Sequence, residues 1–346
     1  MSVFSNLVLP PLSAVYGALT ALRTAAYEKG LLKTTRLPVP VISIGNITVG
    51  GTGKTPLVAW VSRALTSEGR KVCILTRGYG RINAGKRIVV SDGSSVLADA
   101  AQTGDEPLWL AESLKGVVVI CDSDRAAAGQ WAISNLAVDV FVLDDGFQHL
   151  QLARDLNILA IDASNPWGGG RLLPHGRLRE SRRGVSRADC AIITRAEQQE
   201  DASVLKSQIK ELVGEGPIFI SRMRAKGIRQ LPADQLNGIG ALPSPVAAFC
   251  GIGNPSSFFN LLLTNGVQVI HAQTFADHHH YNQADINALS EQAKRLGAQS
   301  LITTAKDAVK LRKLDFGLPC YVLEIEIAID HEDKLRDLIR HTIGAS

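Results

Sequence analysis

The sequence of 346 residues lacks any internal repeat, any low-complexity tract and any close pairing of its cysteines. No two cysteines stand in a C-x-x-C or other metal-binding spacing, because the five are scattered along the chain at Cys73, Cys121, Cys190, Cys250 and Cys320. This pattern excludes a disulfide framework and a cysteine-based metal site. It predicts buried free thiols in a reducing compartment, in a chain long enough for two domains.

A strong charge of either sign is also missing. The formal net charge is +4 and the pI is about 8.8, an imbalance too small to indicate nucleic acid as a partner. The basic residues are nevertheless uneven, because one stretch carries a single acid, Glu180, among Arg171, Arg177, Arg179, Arg182, Arg183 and Arg187. Such a stretch suits phosphate groups or an anionic membrane surface, with a solvated loop as the alternative.

Charged side chains are absent from residues 1–22, where apolar residues recur at helical spacing: Leu12, Val15, Tyr16, Leu19 and Leu22. The segment has neither the early basic region nor the clear cleavage site of a signal peptide. Pro10, Pro11 and many small residues interrupt it too often for a membrane-spanning helix. We therefore predict that residues 1–35 form a membrane-associated amphipathic helix lying in the interface, with a helix packed on the core as the alternative.

Short apolar runs alternate with helical patterns along the rest of the chain. Strands are predicted at Val39–Ile44, Lys71–Leu75, Gly116–Ile120, Val138–Leu143, Asn157–Ile161, Ala188–Thr194, Pro217–Ser221, Pro245–Cys250, Val267–Gln273, Ser300–Thr304 and Cys320–Ile327. Helices are predicted at Pro56–Ser67, Glu106–Ser113, Arg125–Leu136 and Pro255–Thr264. This order predicts a doubly wound, mostly parallel α/β sheet, with a core domain at 36–195 and a smaller α/β domain at 196–346. We expect Lys226–Ser244, rich in glycine, proline and polar residues, to be a connection.

A glycine-rich loop stands between the first predicted strand and the helix that follows it. It contains Gly50, Gly51, Thr52, Gly53, Lys54 and Thr55. The glycines allow backbone N–H groups to surround phosphate oxygens, Lys54 can reach the β and γ phosphates, and the Thr55 hydroxyl can bind Mg²⁺. The strict P-loop pattern has glycine where this chain has Thr48, and Val49 replaces the lysine of the dimerising K-G-G-x-G-K-[ST] variant. The loop predicts binding of a nucleoside triphosphate.

Carboxylates and histidines that suit phosphoryl transfer occur at three further places. Asp144 and Asp145 follow a buried strand, where a parallel sheet places metal-binding acids, although acids there also form turns. Asp105 and Glu106 precede a helix, and Asp277 precedes three histidines, His278–His280. An Asp near a His can form a catalytic base. The alternatives are helix capping for Asp105 and Glu106, and an exposed loop or a metal site for His278–His280.

These segments together resemble the lipid A 4′-kinases, the tetraacyldisaccharide 4′-kinase family. The resemblance covers nearly the whole chain. It rests on ordered blocks at Leu9–Ser13, Gly45–Pro56, Arg77–Gly80, Gly104–Pro107, Leu143–His149, Leu172–Pro174, Leu178–Glu180, Gly251–Pro255, Phe275–Tyr281 and Thr304–Asp307. So many blocks in order are more specific than any one of them.

The resemblance implies a reaction and roles for particular residues. Members of the family transfer the γ-phosphoryl group of ATP to the 4′-hydroxyl of a tetraacylated glucosamine disaccharide 1-phosphate, giving lipid IVA. They work with Mg²⁺ at the cytoplasmic face of the bacterial inner membrane, and a smaller second domain closes over the nucleotide. By resemblance, Asp105 is the catalytic base, His278 its partner, Lys54 and Thr55 the phosphate and Mg²⁺ contacts, and Asp144 with Asp145 the metal-binding acids. Further implied members of the cleft are Glu106, Arg125, Arg179 and Glu180.

Two other functions also accommodate the loop. A P-loop ATPase or GTPase acting as a switch would hydrolyse its nucleotide without a lipid acceptor, although Val49 speaks against the dimerising class of such proteins. A membrane scaffold that binds nucleotide would show no turnover at all. The sequence assigns no oligomeric state.

Overall fold

The structure, a computed structural model, describes residues 3–79, 81, 85–198, 202–233 and 235–344. Gly80 of the Arg77–Gly80 block lies outside the described residues, as do residues 1, 2, 345 and 346 at the ends of the predicted domains. The described strands are β1 Val41–Gly45, β2 Val72–Thr76, β3 Ile88–Asp92, β4 Val118–Cys121, β5 Val140–Asp144, β6 Leu156–Asp162, β7 Cys190–Thr194, β8 Ile218–Gln230, β9 Leu236–Asn237, β10 Val246–Cys250, β11 Val269–Thr274, β12 Ser300–Thr304 and β13 Cys320–Ile329.

The helices pack on both sides of these strands. The described helices are α1 Val3–Glu28, α2 Lys54–Ser67, α3 Ala100–Thr103, α4 Asp105–Ser113, α5 Arg125–Asn135, α6 Ser203–Val213, α7 Pro255–Thr264, α8 Gln283–Arg295, α9 Ala305–Ala308 and α10 Glu332–Gly344. Short 3₁₀ helices occur at Arg182–Arg187, Ala196–Gln198 and Ile239–Ala241.

One sheet runs through both halves of the chain, in the order β11-β10-β12-β13-β8-β7-β6-β1-β5-β2-β4-β3, with β9 paired to β8. Most neighbours are parallel, which confirms the predicted doubly wound fold class. The antiparallel pairs are β3 with β4, β8 with β13 and β8 with β9. Strand β8 pairs with β7 near its start and with β13 along the rest of its length, so it joins the two parts of the sheet. The domain boundary at residue 195 stays a prediction.

The central strands are buried along their full length, as expected for parallel strands covered on both faces. In β1, β2, β5 and β6 every residue is buried, and Leu57, Val58 and Leu65 of α2 pack against them. All five cysteines are buried and free, as predicted.

The prediction that Lys226–Ser244 is only a connection was wrong at its start. Strand β8 continues to Gln230 instead of ending at Ser221. Residues 222–226 alternate between exposed and half-buried positions, and Gly227 and Ile228 after them are buried, because this antiparallel ribbon is not covered on both faces along its length like the central strands. The apolar run that predicted a buried strand therefore ends at Ser221, whereas the strand itself continues to Gln230.

Helix α1 runs through Pro10 and Pro11 without a break. One side of it is held to the body of the protein, because Ser13 donates to the Leu172 carbonyl at 2.8 Å and Tyr16 to the Arg179 carbonyl at 2.9 Å. The other side is apolar and exposed: Val8, Leu12, Val15, Leu19 and Leu22 have 41–69% of their surface accessible. The helical spacing placed Tyr16 on the same face as Leu12, Val15, Leu19 and Leu22. In the structure Tyr16 lies instead on the side that contacts the body of the protein. Among the described residues, no helix is long and apolar enough to cross a membrane.

Candidate functional site

The glycine-rich loop follows β1 and leads directly into α2. Gly50 and Gly53 have φ angles of +112° and +77°, where residues with a side chain are strained, so the turn of this loop requires glycine at both positions. Gly53 is also the cap residue of α2, which places the N-terminus of a 14-residue helix at the loop. Thr194, at the end of β7, donates to the Thr52 carbonyl at 2.8 Å and fixes the far side of the loop.

Lys54 is the cation at the centre of this loop. Its Nζ atom lies 3.1 Å from Asn46 Oδ1 and 3.5 Å from Asp145 Oδ1. Asn46 is itself anchored, because its amide donates to the Thr48 carbonyl at 2.8 Å and to the Thr48 hydroxyl at 3.2 Å. Thr48, which departs from the strict P-loop pattern, is thus buried and takes part in positioning the residue that holds Lys54.

The two acids at the end of β5 have opposite surroundings. Asp145 accepts two hydrogen bonds from Arg179 at 2.7 and 2.9 Å. Burial raises the pKa of Asp145, but the charges of Lys54 and Arg179 outweigh it and bring the pKa to about 2. Asp144 accepts a hydrogen bond from Thr76 at 3.0 Å, and burial, followed by the negative charges of Glu106 and Asp145, raises its pKa to about 7. Asp144 is therefore a buried carboxyl group with two further carboxylates, Glu106 and Asp145, close to it.

Asp105 and His278 are brought together from segments 173 residues apart. Asp105 is the first residue of α4 and is buried, while His278 lies on the loop after β11 with a left-handed φ of +62°. His278 Nδ1 is 2.8 Å from Asp105 Oδ1. The hydrogen bond to Asp105 raises the pKa of His278 above its ordinary value, although burial and Lys306 oppose it. A left-handed histidine is uncommon and is held here by the Asp105 contact and by its N–H donating to the Gly251 carbonyl at 3.1 Å.

Two lysines beside this pair were missed in the sequence. Lys310 Nζ lies 3.3 Å from Asp105 Oδ2, and Lys306 Nζ lies 3.1 Å from Glu106 Oε1 and 3.9 Å from Asp105 Oδ2. Burial raises the pKa of Asp105, but the His278 hydrogen bond and the two lysines hold it well below the usual range. Lys306 lies in the Thr304–Asp307 block, which assigned it no role, and the further signal for Lys310 is its spacing four residues after Lys306, which ordinary surface helices share.

The remaining predicted residues occupy different positions. Arg125 is buried, and its Nη2 lies 3.4 Å from the Asp144 carbonyl oxygen. Arg179 and Glu106 face the cleft described next. Glu180 instead accepts hydrogen bonds from Gln148 at 2.8 Å and Arg187 at 2.6 Å and does not line that cleft. Glu180 therefore supports the glycine-rich loop indirectly, because Gln148 also donates to the Asn46 carbonyl at 2.7 Å.

A cleft of about 1030 Å³ is lined by residues from both halves of the chain. Its polar wall contains Gly50–Pro56, Glu106, Asp144, Asp145, Arg179, His278 and Lys306. Its apolar wall comes from the second half of the chain and includes Met223, Ile252, Phe258, Leu261, Leu323 and Ile325. A cleft of this size with a phosphate loop at one side and apolar side chains at the other can hold a whole nucleotide.

The side chains at the end of β5 fit Mg²⁺. The Thr55 hydroxyl and the carboxylates of Asp144 and Asp145 supply only oxygen atoms, which are the ligands that Mg²⁺ prefers. The described residues contain no group of three or more His, Cys, Asp or Glu side chains that could hold a metal by itself. A site completed by phosphate and water oxygens is typical of Mg²⁺ in nucleotide enzymes. Such a cation would offset the negative charges of Glu106 and Asp145 beside Asp144.

Comparison with known proteins supplies the context for this geometry. Residues 5–344 match the sequence model of the LpxK family, tetraacyldisaccharide-1-P 4′-kinase. The chain belongs to this kinase family. A tetraacyldisaccharide 4′-kinase of Geobacter sulfurreducens is 41% identical over 317 residues, covering 91% of this chain and 87% of that protein. One from Pelobacter propionicus is 40% identical over 341 residues, covering 97% and 92%.

A solved member of the same family shares the fold. The crystal structure of LpxK from Aquifex aeolicus in complex with ATP has a TM-score of 0.79 and 32% sequence identity to this chain. The match covers 96% of this chain and 98% of the Aquifex protein. The extended sheet of this chain is therefore a fold that it shares with a solved member of its family.

Proposed function

We propose that this chain is an ATP-dependent lipid kinase that phosphorylates the 4′-hydroxyl of tetraacyldisaccharide 1-phosphate, the step that yields lipid IVA in lipid A biosynthesis. The single observation that carries the proposal, beside family membership, is the cleft lined by both the phosphate loop and His278, with the buried carboxylate of Asp105 hydrogen-bonded to His278. A nucleotide-binding switch needs the loop but has no use for a carboxylate and histidine pair. A kinase needs the loop for its donor phosphates and a base near the acceptor hydroxyl, which such a pair can supply.

The donor side of the reaction is assigned to the loop. Backbone N–H groups of Gly50–Gly53 and the N-terminus of α2 hold the phosphates of ATP, and Lys54 contacts the β and γ phosphates. The apolar wall of the cleft contacts the adenine ring of ATP. Thr55, Asp144 and Asp145 would hold Mg²⁺, which when bound neutralises charge on the phosphate oxygens.

The acceptor side is assigned to Asp105. The 4′-oxygen forms a bond to the γ phosphorus while the bond from that phosphorus to the β–γ bridging oxygen breaks, and ADP leaves with the electron pair. The proton of the 4′-hydroxyl passes to the Asp105 carboxylate. Because its pKa lies below the usual range, Asp105 is ionised across neutral pH. Transition states for phosphoryl transfer are loose, so the position of this carboxylate matters more than its basicity.

His278 is assigned the role of positioning Asp105. Its Nδ1 atom is hydrogen-bonded to Oδ1 of the Asp105 carboxylate, while Lys310 contacts Oδ2. Glu106, Arg125, Arg179 and Glu180 are further members of the site: Arg179 holds Asp145, and Glu180 supports the loop through Gln148. These contacts favour a rigid site on both sides of the reaction, which lowers the cost of aligning the reacting atoms.

The second part of the chain, residues 196–346, is proposed as a smaller α/β domain that closes over the nucleotide. It supplies His278, Lys306 and the apolar wall of the cleft. Gly253 approaches the loop so closely that a methyl group on it would lie 3.3 Å from the Gly51 nitrogen. A measurable decrease in the radius of gyration on binding a non-hydrolysable ATP analogue supports closure.

The exposed side of α1 is proposed to lie on the membrane surface, at the cytoplasmic face of the inner membrane where an acylated acceptor is found. The stripe of five apolar side chains, from Val8 to Leu22, has no described partner within the chain. Burying a leucine contributes about 1.5–3 kcal/mol, so Leu19→Asp should weaken binding to anionic vesicles by about tenfold or more. Leu296→Asp, at an exposed leucine on the far half of the chain, is the matched control, and equal binding of both variants contradicts this orientation.

One assay separates the kinase from its rivals. Consumption of ATP is measured with and without a detergent-dispersed tetraacyldisaccharide 1-phosphate, and the γ-phosphate is followed into the lipid. The kinase consumes ATP only with the acceptor and places the label on the lipid. A switch ATPase releases inorganic phosphate in both cases, and a scaffold consumes no ATP.

A further inference from the structure

The segment from Arg177 to Arg179 runs beside the entrance to the phosphate loop. The Val49 N–H donates to the Arg177 carbonyl and the Arg179 N–H to the Ile47 carbonyl, both at 2.8 Å. Thr48 and Leu178 form an antiparallel bridge between these two bonds. The backbone of Arg177 is therefore fixed to the residues that lead into Gly50.

Side chains alternate along this short extended segment, as they do in a strand. Leu178 points into the core and is 2% exposed. Arg179, on the opposite side, reaches Asp145 in the cleft. Arg177 shares the side of Arg179, and its guanidinium lies against Gly50: a methyl group built on Gly50 would be 2.6 Å from Arg177 Nη2. Because Gly50 has no side chain, the guanidinium can cover the first part of the loop.

The two neighbouring guanidiniums differ in charge balance. Arg179 is neutralised by Asp145, and in the same stretch Arg187 is neutralised by Glu180. Arg177 is exposed, and the ion pairs of the described residues include none for it. A guanidinium held at the loop without an acid is available to a bound anion. A guanidinium also presents several N–H donors in one plane, which suits phosphate oxygens.

We propose that Arg177 is a further catalytic residue, an arginine supplied within the same chain that contacts the transferred phosphoryl group. This inference rests on the proposed kinase function. As the 4′-oxygen bonds to the γ phosphorus and ADP departs, negative charge spreads over the equatorial and bridging oxygens. Arg177, approaching over Gly50, donates hydrogen bonds to those oxygens, as arginine fingers of P-loop enzymes do. Lys54 acts from inside the loop and Arg177 from its open side.

The test compares Arg177→Ala and Arg177→Lys with Arg70→Ala, which removes an exposed arginine on the turn after α2. Losing one preorganised donor to the transition state costs about 10²–10³ in kcat. We expect that loss in Arg177→Ala, with KM for ATP within about threefold of wild type. Arg177→Lys keeps the charge without the planar fork and should recover only part of the loss. Arg70→Ala should equal wild type.

Binding of ADP with fluoroaluminate, an analogue of the transferring phosphoryl group, gives a second measurement without the lipid acceptor. Arg177→Ala should weaken binding of this complex by about the same factor as kcat, while binding of ADP alone stays unchanged. A merely structural role would weaken both. An increase in KM for the lipid alone, with fluoroaluminate binding intact, would instead place Arg177 on the phosphate of the acceptor and overturn the proposal.

The two proposals fail in different ways. If the wild-type protein does not phosphorylate the lipid, the kinase function is contradicted, and the fluoroaluminate measurement still decides the role of Arg177. If the wild type is active and Arg177→Ala matches Arg70→Ala in kcat and in fluoroaluminate binding, only the role of Arg177 is overturned.

Discussion

The two sides of the cleft are built in different ways. The proposed donor side is a continuous segment, Gly50–Thr55, whose φ angles, helix N-terminus and lysine all come from six consecutive residues. The proposed acceptor side is assembled from three distant segments, which meet where Asp105 contacts His278 and Lys310. A phosphate site that depends on local backbone conformation is encoded locally, whereas a positioned carboxylate depends on the whole fold.

This difference predicts that substitutions on the two sides separate binding from chemistry. Donor-side variants should affect the use of nucleotide with any acceptor. Acceptor-side variants should leave nucleotide binding intact and change only the transfer step.

The largest effect is expected for Lys54→Ala. Because Lys54 is proposed to contact the β and γ phosphates, its loss should remove charge from both the bound nucleotide and the transition state. We expect kcat/KM for ATP to fall by about 10⁴, in steady-state assays with saturating lipid. Lys115→Ala, at an exposed lysine before β4, should keep wild-type kinetics. A Lys54→Ala enzyme within tenfold of wild type would contradict the donor site.

A smaller effect is expected for His278→Ala. Asp105 keeps its place in α4 but loses the partner of Oδ1, so we expect kcat to fall by about 10–10², with the Kd for ATP unchanged. His279 is the matched control, because it pairs with Asp285 at 2.9 Å instead of Asp105. His279→Ala should stay within about threefold of wild type. The reverse order of the two variants would transfer the positioning role to His279.

The smallest expected effect is a change in the pKa of His278. His278 should have a pKa above the ordinary value of about 6.5 in the wild type, as followed by its ring signals in NMR. Its hydrogen bond to Asp105 is the main cause, so Asp105→Asn should lower that pKa. The pair stabilises the fold fully below the unfolded pKa of His278, and that contribution is lost as the pH rises through the raised folded pKa. Equal His278 pKa values in both proteins would break the acceptor-side assignment.

The same difference explains what the sequence predicts and what it does not. Gly53, Lys54 and the buried strands β1 and β5 follow from local patterns, and the loop was found from them. Lys310 was not found, because its contact with Asp105 joins residues 205 positions apart. The second half of β8 was also missed, because this ribbon around Met223 and Ala225 is only half-buried and lacks a continuous apolar run.

The segments of Asp105 and His278 were singled out from sequence patterns and their partnership was implied by resemblance to the family, whereas their distance required the fold. The roles of both residues stay predictions, and so does the use of Asp144 for metal. Glu180 illustrates the limit of carrying roles over from blocks of sequence: it lies in the block with Arg179 but turns away from the cleft toward Gln148 and Arg187. Because side chains alternate along an extended segment, Arg179 and Glu180 point to opposite sides of it.

The central claim is that a local donor site and an assembled acceptor site act in one phosphoryl transfer. Asp105→Ala tests it most directly, with the Kd for ATP measured by calorimetry and label transfer to the lipid measured on the same preparation. We predict a Kd within about threefold of wild type and a kcat lower by about 10²–10⁴. Full transfer activity in Asp105→Ala, or loss of ATP binding in proportion to activity, would contradict the account.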